Sequence, residues 1–317
     1  MATSFLDKSS LAQVIGTVFD GATIRPLRPK YVFDAMAKEK VWDLNTLPTR
    51  GDVISFPVLS ALSANTASLD PTTTTYSGSQ TSTYTRRNVS LTPHGDHGIM
   101  DMFESRAETF VDDLADFVFN LNDQAMNSMN VLARASMDLN RYSDETSGTL
   151  SQTYHYYGSY GAGSSTAGPL TGKTIREVVS DMRADNVEPF EEGLYRAIIT
   201  PIQYTQLRAD SDAAGWTDTK KYVDNKDMLI GDAGVYEGVR FILNNEVYGK
   251  GTGTLSAYVM GKEFVGKAIG RDLEIKANDF LVGPQENLLP IHWNVLVGYK
   301  IIRREAGRII ETTDTQS

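Results

Sequence analysis

The hydrophobic and polar positions of the chain keep one regular pattern longest between residues 103 and 139. Hydrophobic residues recur there every three or four positions, the spacing of one face of an α-helix. They are Phe103, Ala107, Phe110, Val111, Leu114, Phe117, Val118, Leu121, Ala125, Met129 and Leu132, with Ser136 at the end of the stripe. No glycine or proline interrupts the segment. We therefore predict one helix over 103–139, roughly 55 Å long at about 1.5 Å per residue, which needs a large surface to pack along.

Two segments with strand character bracket a polar stretch before this helix. The first is 51–59 and the second is 86–91. Between Ser60 and Thr85, 14 of 26 residues are Ser or Thr and the only charged residue is Asp70. This composition also fits a flexible linker, but Thr and Tyr favour an extended backbone. We predict a projecting two-stranded ribbon, and because an isolated ribbon buries too little surface, we expect it to lie on a neighbour, most simply another copy of the chain.

The residues between the ribbon and the helix, 93–98, include a proline, two glycines and two histidines. His94 and His97 have a spacing that would suit a metal ion, with Asp96 or Asp101 as a third ligand. A proline and two glycines within six residues are more typical of a turn leading into a helix. We adopt the turn and predict no metal site.

The segment 167–174 fits a relaxed phosphate-loop pattern, in which Lys173 would contact the β- and γ-phosphates of a nucleotide. No hydrophobic strand precedes it, its proline lacks an N–H for the phosphates, and no later segment supplies a convincing magnesium-binding aspartate. Thr174 and Glu177 also fit a capping box for a helix over 175–183. A nucleotide hydrolase that uses Lys173 is therefore kept only as an alternative.

Residues 142–172 are rich in Tyr, Gly and Ser, with tyrosines grouped around His155. A platform that stacks nucleic-acid bases would need interleaved Arg or Lys, and this stretch has none. We predict an ordered surface loop that contacts another chain, because tyrosine supplies contact area at low entropic cost. The candidate contact residues are Tyr154, Tyr156 and Tyr157.

The remaining segments predict an α/β module, preceded by residues 1–50, which fit either a first helical layer of the globule or an arm that docks on another surface. Within residues 1–50, a short amphipathic piece is expected over 31–42. In the module, Thr200 and Pro201 mark the N-cap and first position of a short helix. Other predicted elements are a helix over 174–186, strands over 194–199, 235–243 and 255–260, a helix over 222–230, and a final antiparallel strand pair, 293–302 and 308–311, joined through 305–307.

The amino-acid composition excludes several classes of function. The 317 residues contain 30 Lys and Arg against 40 Asp and Glu, a formal net charge of −10, which disfavours general affinity for nucleic acid or anionic membranes. The absence of cysteine excludes disulfides, thiolate metal sites and thiol nucleophiles. No hydrophobic run approaches about 18 residues, and the N-terminus lacks the pattern of a signal peptide, so we expect neither a membrane span nor secretion.

The order of these elements resembles that of tailed-bacteriophage major capsid proteins with the HK97-like fold, in particular the phage N-four-type branch. The segments that carry the resemblance are Gly51–Pro57, Tyr195–Pro201 with Leu207 and Trp216, and Gly234–Ile242. The resemblance covers nearly the whole chain and implies an α+β fold. Its parts would be an N-terminal arm (1–50), an extended E-loop ribbon (51–101), a peripheral domain with a spine helix (102–170), an axial domain (171–282) and return strands of the peripheral domain (283–317).

The resemblance also implies a structural, non-enzymatic role without cofactors. The chain would self-assemble into hexamers and pentamers of an icosahedral virion capsid, after a stage in the host cytoplasm, and enclose double-stranded DNA without sequence-specific binding. A nanocompartment shell with the same fold, holding enzyme cargo, is the nearest alternative.

The resemblance implies further partners. Many relatives carry a long helical extension that acts as a built-in scaffold, whereas only about 50 residues precede the ribbon here, so a separate scaffolding protein is expected. A portal protein is a second expected partner, and a decoration protein is a further candidate. The Lys–Asn pair through which some relatives cross-link their shells has no match here, so no covalent bond is predicted. Arg86 and Arg87 on the ribbon are candidates to pair with carboxylates of a neighbour, with a solvated face as the alternative.

Overall fold

The structure is a computed structural model that describes residues 31–41, 53–64, 66, 81–101, 113–144, 148–158, 167–190, 193–210, 234–249, 251–277 and 288–315. Four predictions lie wholly or partly outside these residues: the arm before residue 31, the polar stretch of the ribbon at 67–80, the start of the long helix, and the helix over 222–230. Of the described residues, 95–101, 113–126, 273–277 and 288–294 belong to one compact unit and the others to a second. These boundaries differ from those of the five predicted segments, and that division stays a prediction.

The long helix is confirmed over its described length. The helices within the described residues are α1 (Phe33–Met36), α2 (Asp113–Asp138), α3 (Gly172–Ala184) and α4 (Pro201–Ala209), with 3-10 turns at Leu139–Arg141 and Arg304–Ala306. The buried hydrophobic residues of the described part of α2 lie at every fourth position, namely Leu121, Ala125, Met129, Ala133 and Met137. Leu121, Ala125 and Met129 belong to the predicted stripe, whereas Ala133 and Met137 are not part of it.

Twelve strands are described in these parts of the chain. They are β1 (Lys38–Val41), β2 (Val53–Leu59), β3 (Tyr84–Ser90), β4 (Thr92–Asp101), β5 (His155–Tyr157), β6 (Tyr195–Ile199), β7 (Val235–Tyr236), β8 (Val239–Leu243), β9 (Thr254–Met260), β10 (Val265–Ala277), β11 (Leu288–Ile301) and β12 (Gly307–Thr313). They form a four-stranded sheet in the order β1-β10-β11-β4, a six-stranded sheet in the order β5-β12-β9-β6-β8-β7, and the pair β2-β3.

The largest hydrophobic core lies on the six-stranded sheet. The sheet is mixed: β12 and β6 are each antiparallel to β9, while β5 runs parallel to β12 and β8 parallel to β6. Side chains from each of the four described helices pack against it, among them Phe33, Met137, Ile175 and Leu207. The core therefore unites elements that are distant in sequence.

The predicted hairpin of the last two strands is wrong. β11 pairs with β10 and β4, whereas β12 pairs with β5 and β9, so the two strands belong to different sheets. The connection between them is anchored by the carbonyl oxygen of Phe264, which accepts hydrogen bonds from the backbone N–H groups of Ile302 (2.9 Å) and Arg303 (3.4 Å). This anchor redirects the chain from one sheet to the other.

The predicted turn at 93–98 is also wrong, since these residues lie in strand β4. A Cβ at Gly95 would lie 2.7 Å from the carbonyl oxygen of Trp293, and one at Gly98 would clash with the ring of Phe117. Both glycines therefore serve close packing within an extended strand rather than a turn.

Candidate assembly surfaces

The predicted pairing of the two strands is confirmed, since β2 and β3 form an antiparallel pair, whereas most of the polar stretch between them lies outside the described residues. Its register runs from Val53 opposite Ser90 to Leu59 opposite Tyr84. Beyond the last pair, the N–H of Ser60 donates to the carbonyl oxygen of Thr83 at 3.0 Å, so the paired geometry extends one step further.

One face of the ribbon is covered by the chain's own sheet. Ile54, Phe56 and Val89 are at most 5% exposed and share a hydrophobic cluster with Ala268 of β10 and Ile302. The expectation that another copy covers the ribbon is therefore wrong for this face. An amphipathic ribbon buries its hydrophobic side on the nearest hydrophobic surface, and here that surface is intramolecular.

The other face of the ribbon exposes hydrophobic side chains toward its outer end. Leu59 and Tyr84 are 52% and 67% exposed, and Leu62, just beyond the strand, is 56% exposed. We refer to Leu59, Leu62 and Tyr84 as the ribbon end. Large hydrophobic side chains grouped on an exposed surface are typical of interaction sites.

The two arginines of the ribbon point to opposite faces. Arg86 lies opposite Pro57 on the exposed face, and Arg87 lies opposite Phe56 and is half-buried. The ammonium group of Lys40 lies over the ring of Phe56, 5.6 Å from the ring centre. The pairing of these arginines with a neighbour stays a prediction, and Arg86 is the better placed of the two.

The tyrosine-rich segment is not a surface loop at 155–157, because these residues form β5 at the edge of the six-stranded sheet. The hydroxyl of Tyr156 donates to Asp181 of α3 at 2.7 Å, and burial raises the pKa of Tyr156. The ring of Tyr154 lies under the guanidinium groups of Arg304 (5.1 Å) and Arg308 (4.9 Å).

Tyr157 makes an edge contact with His155, with ring centres 4.8 Å apart. All three candidate tyrosines thus have partners within their own chain, and their contact with another chain stays a prediction. The sequence cannot reveal this, because their partners come from other segments of the chain.

The segment 167–174, which fits a phosphate-loop pattern, leads into the capped start of helix α3. Helix α3 begins at Gly172, one residue after its N-cap Thr171, so the predicted capping box at Thr174 is wrong. Thr174 is fully buried and donates to the carbonyl oxygen of Gly158 at 2.6 Å. The backbone N–H of Gly172 donates to the carboxylate of Asp210 at 2.7 Å. A carboxylate at this helix end occupies the position that an incoming phosphate would need, and repels it.

Asp96, one of the candidate third ligands beside His94 and His97, is engaged in hydrogen bonds. The carboxylate of Asp96 accepts a hydrogen bond from the backbone N–H of His97 at 2.8 Å and another from the side chain of Gln124. Within the described residues, no group of three or more His, Asp or Glu side chains is arranged to hold a metal ion. The described helices also include none that is long and hydrophobic enough to span a membrane.

A polar cluster that the sequence did not reveal fixes residues 33–41, the described part of the predicted arm. The carboxylate of Asp34 accepts hydrogen bonds from the hydroxyl of Tyr299 (2.5 Å) and the ammonium group of Lys267 (2.8 Å). Burial lowers the pKa of Lys267, but hydrogen bonds and charge attraction from Asp34 and Glu39 outweigh burial, so its pKa is raised. Beside this cluster, the N–H of Phe33 donates to Asn130 of α2 at 2.9 Å. The segment is therefore held by both the long helix and the four-stranded sheet.

No protein-family model matches the chain, and no curated protein sequence matches it. Solved structures match it along nearly their whole length. In the Cyanophage Pam1 capsid asymmetric unit, a chain with 13% sequence identity matches with a TM-score of 0.70, covering 100% of both chains. The chain has an HK97-like capsid fold.

Two further structures agree. The capsid of Cyanophage P-SCSP1u matches with 12% identity and a TM-score of 0.68, over 96% of this chain and 95% of that one. The head of Helicobacter pylori bacteriophage KHP40 matches with 11% identity and a TM-score of 0.66, over 98% and 99%. The α+β fold expected from the sequence resemblance is thus confirmed.

Proposed function

We propose that this protein is the major capsid protein of a tailed bacteriophage. Copies of the chain would form hexamers and pentamers of an icosahedral shell that encloses double-stranded DNA in the virion. The observation that carries the proposal is the agreement with the Pam1 capsid chain over 100% of both chains, since an added or missing domain would have left part of one chain unmatched. One fold can serve unrelated functions. Because the match here covers both chains completely, a shared capsid function is the simpler explanation.

The described surface supports assembly with other copies. The ribbon end presents three large hydrophobic side chains, each more than half exposed, on an element anchored at its base. Exposed hydrophobic groups on a fixed projection are suited to contact with a second molecule. A closed symmetric shell repeats each such contact many times, so a contact of modest area suffices.

The charge balance supports the enclosure of DNA rather than its binding. A formal net charge of −10 gives the chain no general attraction for phosphates, so packaged DNA would be contained without being adsorbed. The proposed role needs no catalytic residue and no cofactor.

We include three partners in the proposal. A separate scaffolding protein would direct assembly in the host cytoplasm, a portal protein would occupy one vertex, and a decoration protein is a candidate for the outer surface.

Two alternative functions remain, and they predict different particles. A nanocompartment forms a particle with other contents, and a nucleotide hydrolase forms no particle. A nanocompartment shell of the same fold would hold enzyme cargo instead of a genome. A nucleotide hydrolase would use Lys173, but the contact between Gly172 and Asp210 at the adjoining helix end disfavours it.

Negative-stain microscopy of the purified protein, with and without a co-expressed scaffold, tests the proposal. We expect closed particles, and nuclease-protected DNA in particles from phage-infected cells. Particles filled with an enzyme would favour the nanocompartment. A chain that forms no particles under any condition would overturn the proposal, and turnover of nucleotide that Lys173→Ala abolishes would establish the hydrolase.

A further inference from the structure

The attachment of the chain to the rest of the fold changes in kind between residues 33 and 41. Helix α1 is anchored by hydrophobic packing, since Phe33 is fully buried and meets the ring of Tyr258 edge-on, with ring centres 5.1 Å apart. Strand β1 follows directly, and none of its four residues is fully buried. Hydrophobic packing therefore holds α1, and other contacts must hold β1.

Exposed ion pairs hold the strand β1. Lys38 pairs with Glu263, in the turn between β9 and β10, and Glu39 pairs with Lys267 of β10 at 3.1 Å. The side chains of Lys38 and Glu39 are 51% and 57% exposed, so water and salt reach both pairs. Each exposed pair contributes little alone and is weakened by salt.

The backbone of β1 adds only a short pairing. β1 is the outermost strand of its sheet and runs parallel to β10 over four residues, from Lys38 opposite Gly266 to Val41 opposite Ile269. Parallel pairing is slightly weaker per residue than antiparallel pairing. On its other side, β10 pairs with β11, so the sheet keeps its main strands when β1 is absent.

Glu263 holds β1 from a strained backbone conformation. Its φ is +64°, in the left-handed region that residues other than glycine rarely adopt. Its carboxylate lies between Lys38 and Arg303, whose Nε is 3.5 Å away. Strain of this kind persists where the contacts of the residue compensate for it, and here two cations supply those contacts.

Strand β1 also touches the base of the ribbon. The ammonium group of Lys40 donates to the backbone carbonyl oxygen of Ser55 in β2 at 2.7 Å and lies over the ring of Phe56. Phe56 packs on β10 at the residues that pair with β1. A Cβ on Gly266 would lie 3.0 Å from the Phe56 ring, and Ala268, opposite Lys40, belongs to the same hydrophobic cluster as Phe56. Departure of β1 would therefore remove a hydrogen bond and a cation from the base of the ribbon.

We propose that β1 is a salt-sensitive clip, which opens at high ionic strength while Phe33 stays anchored, and whose opening loosens the base of the ribbon. The screening length falls from about 10 Å at 0.1 M salt to about 3 Å at 1 M, which weakens the exposed pairs most. The pair of Lys267 with Asp34 persists, because these side chains are only 9% and 14% exposed. The clip is a property of the single chain and does not depend on the shell function.

Hydrogen–deuterium exchange of the purified, unassembled full chain tests the clip at 0.1 M and 1 M NaCl. Exchange follows the population of the locally open form, so overlapping peptides show which segments open together. We expect exchange in 38–41 and in the facing residues 266–269 to rise about two- to fivefold at 1 M, the range for loss of exposed ion pairs. A smaller rise is expected in β2, which keeps its hydrophobic contacts, and none in β12, which reports global unfolding.

Two matched variants separate the clip from a general effect of charge. Glu263→Gln removes the carboxylate charge and keeps the size of the side chain, so the clip should open already at 0.1 M and respond less to salt. The control is Glu188→Gln, which removes the 3.3 Å ion pair with Lys262, the neighbour of Glu263, and involves no residue of β1. A third variant, Lys40→Met, should raise exchange in β2 at 0.1 M.

The outcomes decide both parts of the proposal. A salt-dependent rise in β1 and β2 with β12 unchanged, and a larger effect of Glu263→Gln than of Glu188→Gln, supports it. Equal exchange of β1 at both salt concentrations, an equal rise in β12, or equal effects of the two glutamine variants overturns it. Opening of β1 with unchanged exchange in β2 overturns the coupling to the ribbon. Failure of the shell function would appear separately, in the microscopy of particles.

Discussion

The hydroxyl of Tyr258 donates a hydrogen bond to the carboxyl group of Asp138, which joins the last residue of helix α2 to strand β9. Asp138 is 8% exposed, and the guanidinium of Arg141 lies 3.4 Å from the same carboxyl oxygen. Arg141 in turn donates to the hydroxyl of Ser256 at 2.8 Å. The end of the long helix is thus fixed to the six-stranded sheet by a buried polar network.

This network makes stability depend on pH. Burial raises the pKa of Asp138 from 3.8 to about 6, against the opposing effects of Tyr258, Arg141 and Arg134. The folded state therefore binds this proton more tightly than the unfolded state, so its contribution to the free energy of unfolding falls as pH rises from about 4 to 6. The loss is roughly 3 kcal/mol at about 1.4 kcal/mol per pKa unit. Asp138→Asn removes the titration and keeps an acceptor for Tyr258.

Urea unfolding of the parent and the Asn variant between pH 4 and 7 measures the effect. We expect the parent to lose stability relative to the variant as pH rises through this window. Taking the difference between the two proteins cancels other titrating groups, such as Glu311, whose pKa is lowered by its hydrogen bond to His155. Two parallel stability curves would show that Asp138 does not titrate in this range.

A second prediction concerns the polar cluster around Asp34. Asp34→Ala leaves the buried ammonium of Lys267 and the hydroxyl of Tyr299 without their shared acceptor, and we expect a loss of about 3 kcal/mol in the free energy of unfolding. Glu39→Ala is the control, because the Glu39 side chain is 57% exposed and its ion pair with Lys267 is worth less than about 1 kcal/mol. Chemical denaturation compares them, and equal losses would contradict the central role of Asp34.

A third prediction concerns the point where the ribbon crosses the four-stranded sheet. A Cβ on Gly298 of β11 would clash with the backbone carbonyl of Ser90, the last residue of β3. Gly298→Ala should therefore cost about 1 to 3 kcal/mol, since the backbone of the ribbon must move. Gly148→Ala, where no atom lies within 4 Å of the added carbon, should change the unfolding midpoint little. Similar effects of the two changes would show that the ribbon adjusts freely.

The sequence predicts those elements whose determinants are local. The long helix follows from its spacing, and the helix at Pro201 follows from its cap. Thr200 accepts a hydrogen bond from the N–H of Gln203, and the side chain of Gln203 accepts one from the N–H of Thr200. The ribbon was predictable because its strands alternate in polarity next to each other along the chain.

The features that could not be predicted from the sequence depend on packing between residues that are far apart along the chain. Gly307 reads as a turn glycine, yet its φ is −129°, and the ring of Phe264 occupies the space of its missing side chain. Lys267 and Asp34 are 233 residues apart, so no local pattern relates them.

The last prediction concerns the exposed arginine of the ribbon. Arg86 lies on the face that also carries Leu59 and Tyr84, so reversing its charge should weaken contacts with carboxylates of a neighbouring copy. Light scattering at low salt should show slower assembly of Arg86→Glu than of Lys262→Glu, which changes net charge equally at a position 46% exposed elsewhere. The difference should shrink at high salt, because the screening length falls from about 8 Å at 0.15 M to about 3 Å at 1 M. If both variants assemble alike, net charge alone governs the rate and Arg86 makes no specific contact.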